Sequence, residues 1–353
     1  MDNFDNLLAE AKVAGASDVH VTVNREPYFR INGKLQKAGD SVLKKENIET
    51  ILKQLLATNP KARKELDDNL QADFSYQIPD GTRFRVNAFN RIGDFAIALR
   101  LISNEVKTIE ELNLPASVLQ FAELKQGFVL VTGPAGEGKS TTLAAILSYI
   151  NSSRSEHIIT IEDPMEYIFK EEQSIIDQRE IGRDAASFPE AIRATLRQDP
   201  DVILIGELRD RESTQTALTL AETGHLVLAS LHTNDAPQTV QRIIDTFPAT
   251  QQSQIRSQLA ASLSGIISIR LLPAQNGGRI PAVGIMTASI AIRNAIREDK
   301  THQIEGIIQT SQELGMQTFT KGVQDLLAAG LISEEDVRPY LPEGEAYSQK
   351  SGK

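Results

Sequence analysis

The chain has no cysteine and no tryptophan among its 353 residues. The missing cysteine excludes disulfides and every zinc site built on thiolates. Aromatic residues make up only 5%, which argues against a platform on which the bases of single-stranded nucleic acid would stack. Basic residues are outnumbered 37 to 47, and the formal net charge is −10. An acidic chain without a basic stripe predicts no direct nucleic-acid partner. No apolar run approaches the roughly 20 residues that a spanning helix needs. The opening Met1-Asp2-Asn3-Phe4-Asp5 lacks the basic-then-apolar form of a signal peptide. These absences predict a soluble protein. There is also no internal repeat and no low-complexity tract.

What is present is a hydrophobic content of 41%, enough for real cores, in a chain long enough for two or three domains. Residues 4–14 have an amphipathic helical pattern. Val19, Val21 and Val23 alternate as in a strand, and a turn is expected at Asn32-Gly33. A helix with Ile48, Ile51, Leu52 and Leu55 on one face follows. Strands are expected over 73–78, 83–89 and 95–101, which makes residues 1–102 an α+β domain. Residues 103–115 are polar, end in Pro115 and predict a linker. Beyond it, short apolar runs at 128–132, 157–162, 202–206 and 226–231 alternate with helical stretches. That alternation predicts a parallel sheet with helices on its faces, an α/β domain spanning 116–345. The last residues, 346–353, predict a loose tail.

The sharpest signal is Gly133-Pro134-Ala135-Gly136-Glu137-Gly138-Lys139-Ser140, directly after the apolar run Phe128-Val129-Leu130-Val131. It fits G-x-x-x-x-G-K-[ST], a strand emptying into a phosphate-binding loop. Glycines let successive backbone N–H groups converge on phosphate oxygens. Lys139 supplies a point charge for the β- and γ-phosphates, and Ser140 a hydroxyl for Mg²⁺. The helix that starts at Thr141 aims its positive end at the same anion. The predicted ligands are therefore ATP and Mg²⁺, held by Gly133, Pro134, Gly136, Gly138, Lys139, Ser140 and Thr141. A soluble protein that uses ATP points to the cytoplasm. Glu137 is an acid within the loop. Its side chain is expected to point away from the phosphates, at some cost in nucleotide affinity.

Phosphoryl transfer to water also needs a metal ligand, a group that positions the water, and positive charge for the transition state. The run Val202-Ile203-Leu204-Ile205 leads through Gly206 to Glu207. Such an acid emerges at the carboxyl edge of a parallel sheet, where ligands bind, so Glu207 is read as the acid on the Mg²⁺ side. A second strand ends at Glu162, the candidate for activating the attacking water. His232 closes the strand that begins after His225 and is expected to face the γ-phosphate. Positive charge could come from Arg83, Arg85, Arg91 or Arg100, and spacing alone does not choose among them.

Taken together these segments resemble the secretion-ATPase superfamily, and within it the PilT-type type IV pilus retraction ATPases. The resemblance rests on Ala16-Ser17-Asp18-Val19-His20, Arg83-Phe84-Arg85-Val86-Asn87-Ala88-Phe89-Asn90, the phosphate loop, Thr160-Ile161-Glu162-Asp163-Pro164-Met165-Glu166, Gly206-Glu207-Leu208-Arg209-Asp210 and the histidine segment from Thr223 to Thr233. The most discriminating stretch is Ala291-Ile292-Arg293-Asn294-Ala295-Ile296-Arg297-Glu298. It is similar to the AIRNLIRE segment of retraction ATPases. Assembly ATPases of the superfamily usually carry a tetracysteine zinc element, which a chain without cysteine cannot build. The resemblance implies a PAS-like N-terminal domain, a RecA-like P-loop ATPase domain and a homo-hexameric ring. It implies docking to an inner-membrane platform protein at the pilus base, Arg85 and Arg100 as arginines given to a neighbour's site, and retraction that drives twitching motility. DNA uptake is an open second use, and a paralogous ATPase an open second partner. The family usually has Thr at 135, Ser at 137 and Leu at 295. The Ala and Glu found at the first two positions leave an alternative open: an accessory, PilT-like paralogue with weak or no hydrolysis.

Overall fold

The computed structural model describes residues 4–340 apart from 32, 103 and 104. The turn residue Asn32, the first two linker residues and the tail 346–353 therefore lie outside the described residues. The chain divides into two units. The first comprises Met1–Glu105 with Glu162–Phe169 and Arg179–Ser187; the second comprises Val106–Ile161, Lys170–Gln178 and Phe188–Lys353.

In the first unit, helix α1 (Phe4–Val13) is followed by β1 (Ala16–Thr22), β2 (Tyr28–Ile31), β3 (Lys34–Lys37), α2 (Lys45–Leu55), α3 (Pro60–Asn69), β4 (Gln71–Gln77), β5 (Arg83–Arg91) and β6 (Asp94–Leu101). The strands form one sheet in the order β3-β2-β1-β6-β5-β4, and its pairings are antiparallel. Helical spacing puts Phe4, Leu7, Leu8 and Ala11 on one buried face of α1, and Ile48, Ile51, Leu52 and Leu55 on one face of α2. Both faces join a single core with Val19, Val21, Phe84, Val86 and Leu99. Burying each large apolar side chain contributes about 1.5–3 kcal/mol. Pro60 starts α3 behind Asn59, whose side chain accepts the Ala62 N–H at 2.9 Å. Strand alternation sends the intervening residues, Asp18, Arg85 and Arg100 among them, to the opposite face.

The second unit contains α4 (Leu119–Ala122), β7 (Gly127–Thr132), α5 (Lys139–Ser153), β8 (His157–Glu162), β9 (Ile175–Glu180), α6 (Phe188–Thr195), β10 (Val202–Ile205), α7 (Arg211–Glu222), β11 (Leu226–Leu231), α8 (Ala236–Asp245), α9 (Ala249–Ser262), β12 (Leu263–Pro273), β13 (Arg279–Thr287), α10 (Ile290–Arg297), α11 (Ile304–Thr310), α12 (Phe319–Ala328) and α13 (Glu334–Val337). Its sheet runs β13-β12-β7-β11-β10-β8-β9. The β8, β10, β11, β7 and β12 pairings are parallel, and β13 returns antiparallel to β12. Strands covered on both faces are apolar without alternation. Accordingly every residue of β7 and of β11 is buried.

Two expectations are refined. The segment 103–115, expected as a linker, does contain the boundary between the units, after Glu105, but it is not polar throughout: Ile109 and Leu114 are buried, and a turn closes between Thr108 and Leu112. Nor does 116–345 fold as one block, because 162–169 and 179–187 join the first unit.

Candidate active site

The phosphate loop is shaped by what surrounds β12. At Gly133 φ is +154°, and a Cβ there would lie 2.3 Å from the Ile269 carbonyl oxygen. Only glycine fits such an approach. Gly136 and Gly138 have φ of 78° and 90°, turning the chain into α5. Gly138 is the N-cap of α5, and no side chain caps that end. The first-turn N–H groups are left for an anion, which the helix dipole favours. Ser140 lies in this first turn. Uncapped amides, glycines that admit close approach and a buried lysine suit a nucleotide phosphate.

Glu137 turns away from the loop's interior, as expected, but it does not stand free. Its Oε2 accepts the Leu271 N–H of β12 at 2.6 Å, and Arg279 of β13 donates to the Gly136 carbonyl at 3.3 Å.

Lys139 is 7% exposed. Its Nζ donates to the Gly133 and Pro134 carbonyls, each at 2.8 Å, and lies 3.2 Å from His232 Nδ1. His232 Nε2 is 3.1 Å from Glu207 Oε1, and Glu207 Oε2 accepts from Arg209 Nε at 2.9 Å. An ammonium can only donate, so Nδ1 is the acceptor and the ring proton sits on Nε2, facing Glu207. The backbone fixes this chain of groups. Gly206 N–H donates to the Ile161 carbonyl of β8 at 2.8 Å, and Leu208 N–H to the Ser230 carbonyl of β11 at 3.1 Å. The Ser230 hydroxyl donates to the Gly206 carbonyl at 2.5 Å. Glu207 is thereby anchored from both flanking strands. Beyond His232, the Thr233 and Thr239 hydroxyls meet at 2.6 Å, and Asp235 caps α8 through the Gln238 N–H at 2.8 Å.

Of the predicted residues, Lys139, His232 and Glu207 are brought into one hydrogen-bonded line. Glu162, Arg85 and Arg100 belong to the first unit. Glu162 closes β8 and is 8% exposed; its carbonyl accepts the Ile181 N–H at 2.9 Å. Arg85 and Arg100 are cross-strand partners on β5 and β6, exposed on one face. Like charges placed opposite repel, and Asp18, the partner of Arg100 on β1, offsets this. Arg100 Nε donates to Asp18 Oδ1 at 2.9 Å, while Arg30 lies 3.7 Å from Oδ2. Burial works to raise the Asp18 carboxyl, but the Ser17 hydroxyl and Arg100 outweigh it and hold it below the ordinary carboxylate value. Arg83 differs from its neighbours: its side chain is 5% exposed and pairs with Glu180. It therefore leaves the set of arginines available to an outside ligand. Sequence reasoning missed Glu180, which lies 97 positions further along and carries no local signal.

The family described as Type II/IV secretion system protein matches residues 2–280. The chain is 43% identical over 336 residues to the type IV pilus "retractation" ATPase PilT of Pseudomonas aeruginosa, covering 95% of this chain and 97% of that one. It is 43% identical over 323 residues to a twitching motility protein of Neisseria gonorrhoeae, covering 91% and 86%. Its fold matches the crystal structure of the pilus retraction motor PilT with bound ADP, with a TM-score of 0.88 at 43% identity over 97% of this chain and 98% of the other. On the motifs, the fold and these likenesses, the chain belongs to the Type II/IV secretion system protein family, in its PilT-type branch.

Proposed function

We propose that this chain is one subunit of a homo-hexameric, Mg²⁺-dependent ATPase that drives type IV pilus retraction. Twitching motility is the outcome, and DNA uptake is a second use of the same stroke. The observation that carries the reading is the line Lys139, His232, Glu207 at the end of the phosphate loop.

In this reading the first unit is the PAS-like domain and the second the RecA-like domain. A triphosphate would give Lys139 and the α5 amides stronger acceptors than the loop carbonyls that Lys139 now holds. Ser140 and Glu207 are the residues that would hold Mg²⁺, which would supply positive charge against the phosphates. His232 orients at the γ-phosphate through the proton it shares with Glu207. Glu162 takes the proton of the attacking water. Arg85 and Arg100 of one copy meet the charge that develops in the site of the next. No helix among the described residues is long and apolar enough to cross a membrane, in keeping with a ring that docks on an inner-membrane platform protein from the cytoplasm. The Glu137 carboxylate is engaged by the Leu271 N–H, and this, with the likeness to retraction ATPases, favours the hydrolysing motor over the accessory paralogue.

Two experiments test the proposal. Purified full-length chain should hydrolyse ATP with Mg²⁺, and Glu207→Gln should lower kcat by at least about 100-fold. Deletion in the source organism should leave pili that extend but do not retract. Unchanged turnover in Glu207→Gln, or loss of the pili themselves, contradicts it.

A further inference from the structure

Glu162 ends a strand of the second unit, yet it opens a segment that belongs to the first. The chain crosses between units after Ile161 and again after Gln178. Arg83 of β5 contacts both returning segments. Its Nη2 donates to Glu180 Oε2 at 2.7 Å and to the Ser75 hydroxyl at 2.9 Å, and its Nη1 lies 3.2 Å from Met165 Sδ. Ser75 in turn donates to Glu180 Oε1 at 2.5 Å. One guanidinium thus touches Met165 in the segment that Glu162 opens and Glu180 in the second returning segment. The residue after Glu180, Ile181, donates its N–H to the carbonyl of Glu162 itself at 2.9 Å.

The second segment is braced by its own hydrogen bonds. The Glu180 carbonyl accepts from Arg183, Asp184 and Ala185 at 3.3, 2.8 and 3.2 Å, and the Asp184 carboxylate accepts the Glu180 N–H at 3.0 Å. The Glu180 side chain, bound by Arg83 and Ser75, is one restraint more on the backbone that carries the Ile181 N–H to Glu162.

Stability alone does not explain the pair. Both side chains are 5% exposed or less, and desolvation of two such charges roughly offsets their attraction. Arg83 Nε is buried with no partner among the described residues, which adds a further cost. Such a group is retained where it fixes one arrangement against others.

We propose that Arg83 and Glu180 are positioning residues for Glu162: they hold in place the Ile181 N–H that binds its carbonyl, and with it the carboxylate that activates water. This rests on the role given to Glu162 under Proposed function.

The test is a mutant cycle on full-length protein. Arg83→Met with Glu180→Met removes both charges and leaves no buried ion unpaired. Expected are retained assembly and thermal stability, a KM for ATP within twofold of wild type, and a kcat lowered at least tenfold. In a Glu162→Gln background the same double change should produce no further loss, because the pair acts only through Glu162. Arg83→Lys, which keeps the charge, should recover part of the rate. Full kcat in the double variant, or a loss that adds in full to that of Glu162→Gln, overturns the proposal. If the double variant does not fold, Ser75→Ala decides: a twofold to threefold fall in kcat at constant KM supports the pair's role, and wild-type kcat overturns it. Unchanged kcat in Glu162→Gln alone overturns the role of Glu162, which is a different failure.

Discussion

His232 stands with Nδ1 3.2 Å from the Lys139 ammonium and its other ring nitrogen on Glu207. The imidazole therefore connects the lysine proposed to bind phosphate to the acid proposed to stand on the metal side. It does so from the end of a fully buried strand.

Replacing His232 by Ala should lower kcat about 10- to 100-fold, the scale of a lost proton-handling or orienting group. KM for ATP should change little, because Lys139 and the loop amides remain. Phosphate release followed over a range of ATP concentrations checks both numbers.

Gly133→Ala should abolish nucleotide binding. The added methyl would sit 2.3 Å from the Ile269 carbonyl oxygen, a backbone atom that cannot swing aside, in a φ region that side chains avoid. Expected are loss of ATP binding by titration calorimetry and a lowered Tm.

Glu137 gives a graded pair of variants. Glu137→Gln keeps an oxygen for the Leu271 N–H and should behave close to wild type. Glu137→Ala orphans that N–H and should lose about 1–3 kcal/mol of stability, with KM for ATP raised severalfold as the loop loosens. Urea unfolding and steady-state kinetics read the two effects. Equal behaviour of the two variants would show that the 2.6 Å bond does not hold the loop.

His157 predicts a pH dependence of stability. Its ring reaches the Asp199 carbonyl at 2.9 Å and the Asp177 carboxylate at 3.0 Å, and Asp201 holds its backbone N–H at 2.8 Å. Burial works to lower its pKa, but the Asp199 carbonyl and the charges of Asp177 and Asp201 outweigh it and leave it raised. A raised folded value means that the imidazolium stabilises the fold. That contribution is complete below the unfolded value of about 6.5 and is lost as pH rises through the folded one. Wild type should therefore exceed His157→Gln in stability below pH 6 and converge with it above pH 8, by about 1 kcal/mol or less given partial exposure. Denaturant unfolding of both proteins across that range is the measurement.

The parallel strands of the second unit were legible because residues covered on both faces must be apolar, and the phosphate loop was legible because its glycines and lysine are local in sequence. Other elements had no such signature. β12 follows α9 with no intervening residue (Ser262 to Leu263), so no turn announces it, and β9 reads Ile-Ile-Asp-Gln-Arg-Glu with only Glu180 fully buried. The return of 162–169 and 179–187 to the first unit includes the Arg83–Glu180 pair, whose members are far apart in sequence. Arg293 shows the same limit. Sequence places it in a charged amphipathic helix, but its guanidinium donates to the Ala260, Ala261 and Ala288 carbonyls at 2.5, 2.7 and 3.0 Å. It closes the C-terminal end of α9, while Ile290 on the same helix is 80% exposed.

The central claim is that one copy completes the catalytic site of another, and subunit mixing tests it most directly. Arg100→Ala supplies an intact phosphate loop without its arginine, and Glu207→Ala supplies the arginine without a working site. Each alone should be nearly inactive. Mixed and reassembled, they should regain ATP hydrolysis well above the sum of the two. Activity that stays at that sum, or a wild-type chain that turns over fully as a monomer, contradicts the account.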